Sequence, residues 1–188
     1  EILDNRVLSF GIAAGGGIDT GQGTATIERT IITGNVAPRA GGVWRTGGGV
    51  LRIADSALTD NEATAAASTG GGAIGTRAAI TDITNSTISG NASASTGGGI
   101  DIGDDSVVVS LTHVTLAENT AASAGDGINA SGANQIVILR NTMLASGGTS
   151  PDECSVDSLA LTSLGGNLQQ GTTFDPECGL KLVKGDLL

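Results

Sequence analysis

Short runs of alternating apolar and polar residues recur along the chain at a nearly constant interval. The clearest copy spans Gly70 to Ile100 and reads GGGAIGTRAAITDITNSTISGNASASTGGGI. A glycine cluster opens it, two short alternating runs follow, and Ser-Gly-Asn closes it before the next glycine cluster. One Asn position serves as a ruler: Asn5, Asn35, Asn61, Asn91 and Asn119, spaced by 30, 26, 30 and 28 residues, with Gly147 in the same place in a degenerate copy. Three positions before each marker stands an apolar residue (Ile2, Ile32, Leu58, Ile88, Leu116, Leu144). Eight positions before it stands another (Ile27, Ile53, Ile83, Leu111, Leu139). After the markers come the glycine clusters, each leading into Ile18, Val43, Ile74, Ile100 or Ile128.

A period of this length signals a repeat architecture. The runs are short and rich in Ile, Val, Leu and Thr, which suits strands. No stretch sustains helical spacing with caps at both ends. A coil of about 28 residues holds three short strands and three turns, and stacked coils pair each strand with its copies ~4.8 Å above and below. The pattern therefore predicts an all-β, right-handed parallel β-helix of about six coils, the first and last incomplete. The solenoid covers residues 1–148, and an atypical segment, residues 149–188, finishes it.

The marker Asn residues have a structural reading as a ladder. Asn tolerates left-handed backbone and bonds locally in turns, and stacked carboxamides can hydrogen-bond up a solenoid. The glycines are expected to supply positive φ and close backbone approach at another corner.

Composition narrows the picture. The aromatics are Phe10, Phe174 and Trp44, with no Tyr, so the core must be a thin stack of aliphatic residues. The net charge of −10, with nine scattered basic residues, argues against nucleic acid as a partner. No apolar run approaches the ~18 residues of a membrane span, and no signal peptide is visible. The chain opens at Glu1 in what reads as the last strand of a coil, consistent with a mature form or a piece of a longer protein.

Cys154 and Cys178, the two cysteines, bracket the atypical terminal segment. Counting alone leaves two unpaired thiols open; the placement favours a disulfide, which would imply an oxidising, extracellular setting. Closing that loop would stabilise by roughly 3–3.5 kcal/mol on the chain-entropy account.

The copies GGGAI…ITNSTISGNAS and GGGI…LTHVTLAENTA, then LRNTMLAS, then DEC…TSLGGNLQQ…ECG, carry a resemblance. Together they resemble bacterial secreted right-handed β-helix repeat surface proteins, and are similar to polymorphic outer-membrane and autotransporter-passenger β-helix domains. The resemblance spans most of the chain. It implies export and surface display, with an adhesive or structural role and no fixed activity. The family repeat usually carries Tyr after GGGI, whereas Asp19, Gly75, Asp101 and Asn129 follow here.

Candidate chemistry is sparse. Asp19 and Asp101 share an outward row but lie three coils apart, roughly 14 Å, too far for a hydrolytic pair. Asp101, Asp104 and Asp105 form a weak calcium candidate that reads more simply as an acidic turn. His113 replaces Asn85 and Asn141 of neighbouring copies and reads as a corner residue without a triad partner. The sequons at Asn85, Asn91 and Asn129 read as accidental. A flat hydroxyl array of the ice-binding kind is disfavoured because Met143 breaks the row. The sequence thus points to a secreted cell-surface structural or adhesive rod that could assemble head to tail through unpaired strand edges. The alternative is a carbohydrate-binding or polysaccharide-cleaving module, with surface polysaccharide as partner. No residue merits a catalytic assignment, and no cofactor is expected beyond that calcium candidate.

Overall fold

The computed structural model describes residues 1–7, 15–66, 70–103, 105–146, 153–156 and 161–169. Within them the chain is a parallel β-solenoid of about five turns of roughly 28 residues, with no helix among the described residues. Each turn contributes a strand to each of three sheets, and three turns add a second short strand to the third (Val36–Ala37, Glu62–Ala63 and Ala92–Ser93); every strand pairing is parallel, to the copy one turn away.

The first sheet stacks Ile18–Thr20, Val43–Arg45, Ile74–Thr76, Ile100–Ile102, Ile128–Ala130 and Cys154–Val156 in chain order. The second stacks Gly23–Glu28, Gly49–Ala54, Ile80–Thr84, Val108–Thr112, Ile136–Arg140 and Leu161–Ser163. In the third, Ile2–Leu3, Ile31–Thr33, Ala57–Thr59, Thr87–Ser89, Thr115–Ala121, Met143–Ser146 and Leu168–Gln169 follow one another. The strands Cys154–Val156, Leu161–Ser163 and Leu168–Gln169 thus add a further rung to all three sheets.

The register is the one the repeat dictates. Ile32, Leu58, Ile88, Leu116 and Leu144 stack in one buried column, and Ile27, Ile53, Ile83, Leu111 and Leu139 in another. Alternation by two puts these side chains inside and their neighbours outside. Burying each such aliphatic side chain contributes about 1.5–3 kcal/mol before chain entropy is charged against it. One continuous aliphatic core results, running up all three sheets.

Both faces of the first sheet are covered over its four inner strands. All three residues of Val43–Arg45, Ile74–Thr76, Ile100–Ile102 and Ile128–Ala130 are buried, the outward middle residue included. Where the chain between a marker Asn and the next strand of this sheet is described, it packs against the outer face, with Thr96 Oγ1 on Asp101 and Ser93 Oγ on the Gly70 carbonyl, and the glycine clusters let it lie there. A Cβ on Gly70 would sit 1.8 Å from the Arg39 carbonyl oxygen, and one on Gly98 would sit 2.5 Å from those of Asp126 and Thr120. Positive φ is a minor part of their role. Within the clusters it occurs at Gly97 and Gly125, while Gly70, Gly71 and Gly72 are there for close approach.

The left-handed corner positions also differ from expectation. The marker Asn residues do not adopt positive φ. The residue before each one does: Asp4, Gly34, Asp60, Gly90 and Glu118, with φ between 52° and 67°. The left-handed residue turns the chain and delivers the next carboxamide into the interior, where it stacks.

Candidate functional site

Three polar constellations lie outside the aliphatic core, and each is built by the stacking of equivalent positions. The first is the predicted Asn ladder. Asn5 donates its Nδ2 (2.8 Å) and backbone N–H (3.0 Å) to Asn35 Oδ1. Asn35 does the same to Asn61, Asn61 to Asn91, and Asn91 to Asn119, at 2.9–3.1 Å. The second Nδ2 hydrogen reaches backbone carbonyls, for example Ile32 from Asn61 (3.0 Å) and Leu58 from Asn91 (3.0 Å). Asn35, Asn61 and Asn91 are fully buried and Asn119 nearly so. With these bonds made, the carboxamides hold adjacent turns in register and present nothing to a ligand. Gly147, the degenerate marker, lies outside the described residues.

The second constellation is a corner between the second and third sheets, which the repeat ruler did not reveal. Buried hydroxyls form a shorter ladder there: the Thr30 and Ser56 backbone N–H groups donate to Ser56 Oγ and Ser86 Oγ, both at 3.1 Å. Val114 takes the next place, and the Thr142 backbone N–H then donates to Asn167 Oδ1 at 2.9 Å. One position earlier in each turn stands an exposed residue in the left-handed region: Arg29, Asp55, Asn85, His113 and Asn141, with φ of 46–55°. Their side chains meet from turn to turn. Asn85 Nδ2 is 3.3 Å from Asp55 Oδ1, and Asn141 Nδ2 is 3.4 Å from His113 Nε2. His113 is therefore a corner residue whose ring nitrogen faces an amide. Beside this row an open depression is lined by Arg29, Asp55 and Asn85, with Ile31 and Ala57 on its flank. In the sequence only Asn85, His113 and Asn141 stand out as one corner position; the mixture of residue types at Arg29, Asp55 and along the hydroxyl row beneath is weak as a motif.

The third constellation covers the outer face of the first sheet. The outward column runs Asp19, Trp44, Gly75, Asp101, Asn129, Ser155. The Trp44 ring lies over Gly75 of the next turn, with the guanidinium carbons of Arg39 and Arg77 5.6 and 5.4 Å from its centroid. Such stacking is favourable. Trp44 is 1 % exposed, so no ligand reaches its face. Arg45, also buried, donates to the carbonyls of Gly23 and of Gly48 (3.0 Å), plugging the corner made by the RTGGG sequence.

Asp101 lies in the same column and is buried rather than a member of an open acidic turn. Its Oδ1 accepts from Thr96 Oγ1 and Asn129 Nδ2, both at 2.8 Å, while Oδ2 has no hydrogen-bond partner. Burial pushes its carboxyl above the ordinary aspartate value; the two hydrogen bonds and the charge of Arg77 pull the other way and only partly offset it. Asp105 is exposed and accepts from the Ala133 N–H at 2.8 Å. Asp104, the third member of the calcium candidate, lies outside the described residues. Among the described residues no group of three or more His, Cys, Asp and Glu side chains is placed to hold a metal ion. Of the sequons, Asn91 and Asn129 are buried and hydrogen-bonded, and Asn85 is exposed at the corner. Cys154 is buried in the first sheet; Cys178, its expected partner, lies outside the described residues.

No family model, no curated protein and no solved structure matches the chain. No helix among the described residues is long and apolar enough to cross a membrane.

Proposed function

We propose that the protein is a secreted, cell-surface structural or adhesive rod, right-handed in its coiling and of the bacterial β-helix surface-protein kind its repeats resemble. The observation that carries this reading is the Asn ladder, which ties five successive turns through buried carboxamides. A scaffold so braced is stiff along its axis, and its length grows by repetition. A disulfide between Cys154 and Cys178 belongs to the same reading, as a staple suited to an extracellular setting. Head-to-tail assembly is its finer form. Electron microscopy and sedimentation of the non-reduced chain test it. Filaments with an axial repeat near the rod length support assembly; isolated rods that stay monodisperse at high concentration overturn it. Mass analysis before and after reduction tests the disulfide.

A second reading is a polysaccharide-binding module, favoured by the exposed row of guanidinium, carboxylate and carboxamide groups at the second corner. Cleavage would add unsaturated or new reducing ends after incubation with acidic polysaccharides, and their absence would leave binding alone.

A further inference from the structure

The depression at the second corner is a place where the rod offers polar side chains that the fold does not consume. Arg29, Asp55 and Asn85 occupy successive turns, so their side chains rise along the corner at ~4.8 Å per rung. All three are exposed. The Arg29 guanidinium has one loose ion pair, 3.9 Å from Glu28 and mostly in solvent. Asp55 receives one long hydrogen bond from Asn85. The hydroxyls beneath them are spent: Ser56 Oγ donates to the Ala54 carbonyl at 2.7 Å, and Thr30 Oγ1 to that of Glu28 at 2.8 Å. The floor is thus closed and rigid, and the rim carries the free hydrogen-bonding capacity. On the flank, Ile31 is 44 % exposed and pairs in register with Ala57, leaving an aliphatic ledge beside a shallow step.

Planar polar groups beside an aliphatic ledge suit a sugar. Guanidinium, carboxylate and carboxamide each offer two hydrogen-bonding atoms in one plane, the geometry that engages vicinal hydroxyls. The C–H face of a pyranose packs on aliphatic carbon. A linear glycan advances by about one rung spacing per residue, so consecutive sugars would meet consecutive turns. Charge selects the class. The rim carries one cation and one anion, and the chain carries −10 overall, a field that repels polyanions.

We propose that the corner formed by Arg29, Asp55 and Asn85 binds a short stretch of a neutral linear polysaccharide lying along the rod axis, with Ile31 and Ala57 as its apolar ledge. This rests on the polysaccharide-binding reading and makes the rod adhesive through a lateral corner rather than through its ends.

Substitution by glycine gives a clean test, because Asp55 and Asn85 both sit at positive φ, where glycine keeps the backbone and removes only the side chain. Affinity electrophoresis of the full chain in gels containing soluble β-glucan, mannan or hydroxyethyl cellulose reads the binding, and thermal unfolding checks the fold. The wild-type chain is expected to be retarded by at least one of the three. Asp55→Gly and Asn85→Gly should each weaken that retardation about tenfold, while Asn141→Gly, two turns beyond Asn85 on the same corner, should leave it unchanged. Arg29→Asn, which also tolerates the left-handed region, should weaken it likewise. No retardation by any neutral polymer, equal retardation of wild type and the Asp55 and Asn85 variants, or retardation by polygalacturonate alone would each overturn the proposal. None of these outcomes bears on filament formation, which microscopy reads separately.

Discussion

Asn91 Oδ1 accepts two hydrogen bonds from a single residue one turn away, the backbone N–H and the Nδ2 of Asn61, both at 3.0 Å. One side-chain oxygen thereby satisfies a buried main-chain donor and a buried carboxamide together, and the same unit recurs from Asn5 to Asn119. Because the pairs are buried, the cost of breaking one is dominated by the groups left without partners.

Asn91→Ala is therefore expected to destabilise by about 2–4 kcal/mol. It strands the two Asn61 donors and removes the Nδ2 bonds to the Leu58 and Ser89 carbonyls. Asn5→Ala, at the exposed end of the ladder, should cost less than about 1 kcal/mol. Chemical denaturation of the two variants checks the contrast, and equal losses would refute the ladder as the source of stability.

Trp44 and Gly75 are neighbours across the first sheet, and a Cβ at Gly75 would come within 2.5 Å of Trp44 Cε3 and Cζ3. Gly75→Ala should displace the indole from its contacts with Arg39 and Arg77, at a cost of about 1–3 kcal/mol. Trp44 is the single tryptophan, so its fluorescence reports on this directly. The emission should move to the red in the folded variant; an unchanged spectrum would mean the ring is not held over Gly75.

Arg45 is buried with its guanidinium on the carbonyls of Gly23 and Gly48. Arg45→Met keeps much of the volume and removes both bonds, and should cost about 2–3 kcal/mol. Arg45→Lys, which lacks the planar fork, should recover only part of that. Denaturation midpoints of the two variants decide it: a methionine variant as stable as wild type would show the carbonyls are satisfied some other way.

Asp101 gives stability a pH dependence of a particular sign. Its carboxyl titrates above the unfolded value because burial disfavours the charge. Between the two values the folded state holds the proton more firmly, so acidification through that window stabilises the fold, and raising the pH through the folded value removes the gain. Other carboxylates titrate nearby, so the measurement is a difference. The unfolding free energy of wild type minus that of Asp101→Asn should rise as the pH falls from 7 towards 4. A flat difference would place Asp101 in a solvated site.

The sequence spoke clearly where the chemistry repeats. Asn35, Asn61, Asn91 and Asn119 are one residue in one place, and their columns of Ile and Leu neighbours repeat with them, so a single chain displays its own alignment. The hydroxyl ladder of Thr30, Ser56 and Ser86 was hidden because its position changes identity at Val114 and Asn167. Of the polar row outside it, Asn85, His113 and Asn141 were legible as one corner position, while Arg29 and Asp55 were hidden for the same reason. There the left-handed backbone geometry is what repeats, and several residue types satisfy it.

Other features had no signal in the repeat at all. Asp101 reads as an outward carboxylate on a solvated face, and the fold buries it because the chain from Asn91 onward turns back across the sheet, bringing Thr96 over it. Arg39, Trp44 and Arg77 meet because loops of unequal length pack onto the same outer column, and the RTGGG sequence makes sense only once Arg45 is seen plugging its corner. The sequence by itself determined the solenoid, its register and its interior, since hydrophobic alternation and a stacked carboxamide are periodic and each copy confirms the last. The tertiary structure alone decided which polar groups were buried and which remained free for a partner. That depends on how each turn's loop folds over the sheet, a contact made once and so never repeated along the chain.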